Sequence, residues 1–146
     1  AGFVHEYMKL QANGEDADWV LLSGCLAETF ALADFTDGGA AVGTVTFAGD
    51  IPVGAEVSRT DLREITGFAG DTSATIQIGD GTDVDRYTTG TPSVFTTAEL
   101  VDAGAVSGTA IHVTAVSPVA TITAGSDWGA VTGGKLTVAI WFNGVC

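Results

Sequence analysis

The alternation of apolar and polar residues in this chain is typical of β-strands. From about residue 19 onward, short runs rich in Val, Ile, Thr and Phe are separated by Gly, Asp and Pro. In the last run, "KLTVAIWF", one face of a strand carries Leu136, Val138, Ile140 and Phe142. About eight such runs, with turn signals roughly every ten residues, predict an all-β chain folded as an antiparallel β-sandwich or jelly roll.

Other segments complete this prediction. Further strands are expected in "WVLLSGCL", "ETFALADF", "GTVTFAG", "ATIQIG" and "TAIHVTAVS". For the first of these a buried helix is the alternative. One short helical turn is predicted in "TTAELVDAG", because Thr96 and Glu99 have capping-box spacing and Gly104 can end the turn. Residues 19–146 are therefore expected to form a single β-sandwich domain.

The first eighteen residues differ from the rest of the chain. "AGFVHEYMKLQANGEDAD" joins several large apolar side chains to an acidic, turn-prone stretch. We interpret residues 1–18 as an extended N-terminal arm that becomes ordered against a neighbouring molecule, with a first edge strand as the alternative. The candidate partner-binding residues of this arm are Phe3, Val4, His5, Tyr7 and Met8.

A second group of candidate partner-binding residues lies in "EVSRTDLREITGF". Arg59, Asp61 and Arg63 fall on one strand face at two-residue spacing, with Leu62 and Glu64 on the other. Neither face is fully apolar, so we expect an edge strand or a contact between subunits, where charge pairs set register and partner choice. The alternative is a surface ladder of charges that contributes little energy.

The charge balance narrows the classes of partner. The chain has 18 acidic and 5 basic residues, a formal net charge of -13, so neither nucleic acid nor an anionic membrane is expected to bind it. Hydrophobic residues make up 46% of the chain and its mean hydropathy is +0.35, which excludes a disordered protein. Such apolar richness with only two lysines predicts surface covered by other subunits, and hence a homo-oligomer.

The sequence also indicates the cellular compartment in which the chain is made. It lacks a run of the roughly 18 to 20 apolar residues that span a membrane, and its first residues do not resemble a signal peptide. We therefore expect synthesis in the cytoplasm. Cys25 and Cys146 are expected to be free thiols there, with a bridge between them as the alternative.

The stretch "SATIQIGDGTDVDRYTTGT" is rich enough in Asp and Gly to be tested as a ligand site. It fails the EF-hand pattern in both registers, and no tandem copy follows that would make a calcium-binding β-roll. A hairpin with Asp80 and Gly81 at its turn is the favoured interpretation. A cation held by Asp80, Asp83 and Asp85, adventitiously or between subunits, is the alternative.

Catalytic patterns are weak throughout. The two histidines, His5 and His112, lack a nucleophile-elbow serine, and the two Cys and two His lack metal-ligand spacing. The P-loop pattern is missing as well. Two facing carboxylates, as in some glycosidases, can be drawn from any acidic β-sandwich, so that signal has little specificity. We therefore predict a protein that is not an enzyme, with no catalytic, cofactor-binding or metal-binding residue and no cofactor.

The segment from Val42 to Thr91, with "GTVTFAGDIPVGAEV", "GFAGDTSA" and "TIQIGDGTDVDRYTTGT", together with the late "WGAVTGGKLTVAIWF", resembles small virion proteins of tailed bacteriophages. The type it resembles is the capsid decoration or cement protein with a β-sandwich or jelly-roll fold. This resemblance covers about a third of the chain.

The resemblance implies a homodimer or homotrimer on the outer surface of the capsid, where it binds the major capsid protein and ties neighbouring subunits together. The main alternative is another virion component, such as a tail, neck or receptor-recognition fibre domain. A carbohydrate-binding or glycan-active module is the third.

Overall fold

The computed structural model describes residues 2–10, 18–104, 111 and 113–143, and the side chains of these except for residues 2–10 and 18–23. Nine strands lie in this part of the chain: β1 Gly2–Leu10, β2 Asp18–Ala31, β3 Thr36–Asp37, β4 Val42–Thr46, β5 Glu56–Thr66, β6 Ala74–Gly79, β7 Ala98–Asp102, β8 Val119–Ala124 and β9 Lys135–Asn143. Its helices are two single 3-10 turns, Leu32–Asp34 and Trp128–Ala130, and neither could cross a membrane.

The strands form two antiparallel sheets. One has five strands in the order β1-β2-β9-β5-β7, and the other has four in the order β3-β4-β8-β6. Buried residues from both sheets form one hydrophobic cluster. The predicted all-β sandwich is therefore confirmed.

Strand β9 forms the centre of the five-stranded sheet, paired with β2 on one side and β5 on the other. Its predicted core face is confirmed, because the side chains of Leu136, Val138, Ile140 and Phe142 are at most 1% exposed. In the other sheet, the predicted strand "ATIQIG" is β6, and its Ile76 and Ile78 are fully buried.

Aromatic residues fill one region of the core. The ring of Phe35 lies 6.2 Å from that of Phe30, 5.6 Å from Phe68 and 5.5 Å from Trp128, centroid to centroid. Gly43 of β4 lies under the indole, since a Cβ there would come within 2.2 Å of the Trp128 ring. A larger residue at position 43 would therefore displace Trp128 from the core.

A buried carboxylate ties β2 to the loop after β4. Glu28 is only 4% exposed, and its two oxygens each accept a backbone N–H, from Ala48 and from Gly49, at 2.9 Å. Both oxygens are satisfied, so the carboxylate can lie in the core without an uncompensated desolvation cost. This contact fixes the point at which the chain leaves β4 for β5.

The Asp- and Gly-rich stretch is a structural turn. The Asp80 carboxylate accepts the backbone N–H groups of Thr82 and Asp83 at 2.9 and 2.7 Å, and Arg86 forms ion pairs with both aspartates. The chain reverses direction, as predicted, and the Tyr87 N–H donates to the Ile78 carbonyl. Residues 84–87 form turns instead of the second strand of a hairpin.

The predicted helical turn in "TTAELVDAG" is wrong, since Ala98–Asp102 is strand β7 at one edge of the five-stranded sheet. Five residues are too few to offset the cost of nucleating a helix, whereas pairing with β5 supplies ladder hydrogen bonds at once. A capping-box spacing was therefore outweighed by a neighbouring strand.

Two other segments differ from the prediction. "WVLLSGCL" and "ETFALADF" belong to a single strand, β2, which continues into the first 3-10 turn, so the helix alternative is also wrong. In "TAIHVTAVS", Ile111 and Val116 form isolated bridges to Glu56 and Ile51, and residues 113–115 are not in a strand. His112 lies outside the described residues.

The N-terminal segment belongs to the five-stranded sheet. Residues 2–10 form β1, which pairs with β2 and lies at the edge opposite β7. The boundary at residue 18 between an arm and a sandwich domain stays a prediction.

Asp71 joins two surface loops. Its carboxylate accepts backbone N–H groups from Ser126 and Asp127 at 2.6 and 3.0 Å, and from Thr72 at 2.7 Å. These hydrogen bonds hold the pKa of Asp71 well below its usual range, and those from Asp127 and Ser126 have the largest effect.

Asp71→Asn should therefore lower the melting temperature at neutral pH, because an amide oxygen accepts these hydrogen bonds less strongly than a carboxylate. A depressed folded pKa stabilises the protein above the unfolded value of about 3.9, and this contribution is lost as the pH falls through the folded pKa. The difference in melting temperature between wild type and variant should close as the solution is acidified. Thermal melts at stepped pH, with the exposed Glu56→Gln as control, measure it, and a difference independent of pH would contradict the assignment.

Candidate functional site

Strand β5 places charged residues on the outer face of the five-stranded sheet and apolar ones in the core. Its pairing with β9 shifts register twice, between Val57 and Arg59 and again between Arg63 and Thr66. These irregularities bring a buried set inward: Val57, Thr60, Leu62 and Ile65. The expectation of an edge strand is wrong, because β5 lies between β9 and β7. Because the buried residues do not follow a period of two, the sequence pattern did not reveal the apolar face of this strand.

The structure brings the three predicted residues of β5 together and adds a fourth from β9. We call Arg59, Asp61, Arg63 and Trp141 the arginine–tryptophan cluster. Asp61 accepts hydrogen bonds from Arg63 Nε at 2.7 Å and from Trp141 Nε1 at 2.9 Å. The guanidinium carbons of Arg59 and Arg63 lie 4.7 and 5.4 Å from the centroid of the indole. Asp61 thus fixes both the ring and one arginine.

The side chains of the cluster differ in exposure, and their roles differ accordingly. The Asp61 side chain is 11% exposed and its carboxylate is occupied by donors of the chain, so its role is to position its neighbours. The Arg59 side chain is 59% exposed, and its Nε lies 3.8 Å from Asp61. The hydrogen bond to Asp61 raises the pKa of Arg63 above its usual value.

A groove opens beside the cluster, between β5 and the edge strand β7. It has a volume of about 250 Å³ and is lined by Arg59, Asp61, Arg63, Leu100 and Asp102. The register of the two strands sets Asp102 opposite Asp61 and Leu100 opposite Arg63. Leu100 is 64% exposed, so the groove presents an apolar side chain beside its charged ones. We call these five residues the outer-face groove.

Three of the residues in this region were missed by sequence reasoning. Leu100 and Asp102 lie in the segment that the sequence predicts as a helical turn, and the sequence pattern assigns no role to Trp141. The two-residue spacing of Leu100 and Asp102 was the signal for a strand that presents both to one face.

Cys25 of β2 lies close to the same cluster. It pairs with Trp141 across the β2–β9 ladder, and it is a buried free thiol. Burial raises the pKa of this thiol, with smaller effects from Arg63, Asp61 and Arg59. The thiolate is therefore scarce at neutral pH. Cys146, its alternative disulfide partner, lies outside the described residues.

The arm residues lie elsewhere on the sheet. Phe3, Val4, His5, Tyr7 and Met8 all belong to β1, where Phe3 pairs with Leu26 and Val4 with Cys25. Strands β2 and β9 separate β1 from β5, so the structure does not join the two predicted sets into one site. The side chains of β1 are outside the described residues.

The alternative cation site concerns the aspartates of the Asp- and Gly-rich stretch. The described residues contain no group of three or more His, Cys, Asp and Glu side chains that could hold a metal ion. Asp80 and Asp83, two members of the alternative cation site, instead form ion pairs with Arg86.

Asp61→Ala should destabilise the protein by about 1–3 kcal/mol, because Arg63 and the Trp141 N–H lose a nearly buried acceptor. Asp61→Asn should destabilise it less, since an amide oxygen can still accept from the indole. Urea unfolding measures both free energies. The matched control is Asp37→Asn, an exposed position where the amide oxygen can still accept the Gly39 N–H, and a change within about 0.5 kcal/mol is expected there. Equal losses for Asp61→Ala and the control would contradict the role given to Asp61.

Comparisons with known proteins bear on the fold. The sequence matches no protein-family model and no curated protein. Among solved structures, a chain of the "Cyanophage Pam1 capsid asymmetric unit" is similar, with a TM-score of 0.52, 18% identity and coverage of 93% of both chains. A chain of the "Acidic stable capsid structure of Helicobacter pylori bacteriophage KHP30" aligns with a TM-score of 0.38 and 13% identity, over 83% of this chain and 99% of that one. The first likeness shows a shared fold over nearly the whole length of both chains; the second is too distant to carry an argument.

Proposed function

We propose that this chain is a structural protein of a bacteriophage virion, and more specifically a capsid decoration or cement protein that binds the outside of the head. The observation that carries the proposal is the nearly end-to-end likeness to a chain of a cyanophage capsid asymmetric unit. Coverage of 93% in both directions means that the likeness extends over the two chains as wholes and is not confined to one motif. Fold alone does not determine function, so the proposal also rests on the chemistry of the surface.

The charge of the chain supports a place on the outside of the shell. A formal net charge of -13 is repelled by the phosphate backbone of packaged DNA, so an inner location would be unfavourable. The outer surface of the virion, reached after synthesis in the host cytoplasm, carries no such penalty.

The mechanism would be linkage. A protein that binds only the assembled shell stabilises that shell by its own binding free energy, about 2.7 kcal/mol per site at a hundredfold excess over Kd. Because the shell repeats the same site many times, small contributions add up. The major capsid protein would be the partner, and a homodimer or homotrimer of this chain would join neighbouring capsid subunits.

Strand β1 is the element we propose as the anchor to the capsid. Among the described strands only β2 pairs with it, so its other edge presents backbone donors and acceptors to which a capsid strand could add. The arm residues Phe3, Val4, His5, Tyr7 and Met8 would then contact the partner.

The number of copies of this chain in purified particles tests the proposal. Quantitative mass spectrometry against the major capsid protein should give a copy number of the same order as that protein. A handful of copies per particle would place the chain in the tail, neck or fibre instead. Absence from particles would overturn a virion role altogether.

Removal of residues 1–12 should abolish binding to shells that lack this protein, because the anchor strand is lost. Since the truncation also uncovers the edge of β2, circular dichroism must show that the shortened chain still folds. The double variant Tyr7→Ala, Met8→Ala leaves the backbone of β1 intact and should lower occupancy without removing the strand. Full occupancy of a folded, truncated protein in a cosedimentation assay would overturn the anchor role.

A further inference from the structure

The outer-face groove differs in charge from the rest of the chain. It holds two of the five basic residues, Arg59 and Arg63, beside two of the eighteen acidic ones, Asp61 and Asp102. Its formal charges therefore cancel, whereas the whole chain carries -13. Two copies that approach one another elsewhere meet mostly like charges, but copies that meet at this groove do not.

Arg59 is available to a partner. Its Nε lies 3.8 Å from Asp61, beyond hydrogen-bond distance, and its guanidinium rests on the Trp141 ring at 4.7 Å. Stacking holds the planar group in place while leaving its N–H donors accessible, and a guanidinium so arranged can bind a carboxylate with two parallel hydrogen bonds.

Asp102 offers the matching acceptor. Its Oδ1 accepts the Gly104 N–H at 2.8 Å, and within the described part of the chain no donor reaches its Oδ2. The residue is exposed at the sheet edge, opposite Asp61 in the register. A carboxylate held by its own turn, with one oxygen that receives no donor from the described residues, complements the preorganised Arg59.

Apolar contact is provided at the same place. Leu100, 64% exposed, lies two residues from Asp102 on β7 and opposite Arg63, and the half-buried indole of Trp141 lies beside Arg59. Trp and Arg are the residue types that most often dominate binding energy, and an exposed leucine next to them supplies area that water would otherwise cover.

We propose that the outer-face groove is a two-fold interface with a second copy of this chain, in which Arg59 of each copy pairs with Asp102 of the other around Leu100 and Trp141. A two-fold axis brings the same surface of both copies together, so a patch that carries both a donor and its acceptor is complementary to itself. This inference rests on the self-association within the proposed function and does not depend on the capsid role.

Sedimentation equilibrium of the full chain tests it through a charge exchange. The wild type should dimerise, and Arg59→Asp and Asp102→Arg should each weaken the dimer at least about tenfold, or 1.4 kcal/mol. The double variant should recover affinity, because the exchanged charges meet again across the axis. Asp102→Arg lowers the net negative charge, so a weaker dimer in that variant cannot come from general repulsion.

Two further variants complete the test: one is a control for net charge, and the other is a milder change at Asp102. Lys135→Glu changes the net charge by as much as Arg59→Asp but lies at the far end of β9, so it should leave the dimer unchanged. Asp102→Asn keeps an acceptor for the Gly104 N–H and removes only the charge, so it should weaken the dimer even if Asp102→Arg fails to fold.

Several results would overturn the inference. These are a wild type that is monomeric up to high micromolar concentration, single variants that dimerise as well as the wild type, or a double variant that recovers nothing. A dimer insensitive to all these changes would place the contact elsewhere, for instance at the exposed Val53 and Val113. A monomer abundant on particles would overturn this inference alone, and a dimer absent from particles would overturn the capsid role alone.

Discussion

The pairing of β9 with both β2 and β5 is the constraint on which the rest of this structure depends. The side chains of Leu136, Val138, Ile140 and Phe142 lie in the core. Because side chains alternate along a strand, Trp141 lies on the opposite face. A slip of one residue would exchange the two faces and put the indole into the core. The register of this one strand therefore determines both which side chains fill the sandwich core and that Trp141 lies on the outer face.

Strand β5 meets the same constraint with a less regular sequence. Its two register shifts against β9 let it bury Val57, Leu62 and Ile65 although they do not follow a period of two. Arg59, Asp61 and Arg63, which lie between the shifts, then turn outward beside Trp141. Asp61 becomes nearly buried there because the indole and Arg63 cover it, and the hydrogen bonds from both compensate the carboxylate for the water it loses. The bulges therefore create the site as well as the fold of this strand.

The elements that sequence predicts well are those whose pattern is local. The alternation in "KLTVAIWF" and "ATIQIG" is complete within each strand, and both strands and their buried faces are as predicted. Thr96 and Glu99 gave an equally local helix signal, but it was overridden by pairing of Ala98–Asp102 with β5, whose partner residues lie 33 to 41 positions earlier in the chain.

The site was predictable only in part for the same reason. Arg59, Asp61 and Arg63 share one strand, so their spacing alone placed them on one face. Leu100 and Trp141 join them through the order of strands β9, β5 and β7, which no local pattern contains. The position of β5 inside the sheet, and not at its edge, is a fact of the same kind.

An acidic chain that assembles must restrict where its copies touch. At physiological ionic strength charges are screened over about 8 Å, so repulsion between acidic surfaces acts only when two molecules are already close. At that range it disfavours nearly every mutual orientation of two such chains, and it disfavours least the one that brings together a patch with balanced charge. The net charge of -13 and the local balance at Arg59, Arg63, Asp61 and Asp102 therefore work in the same direction. Removal of acidic residues elsewhere would be expected to add new contacts sooner than to strengthen this one, because specificity here comes from the unfavourable energy of the alternatives.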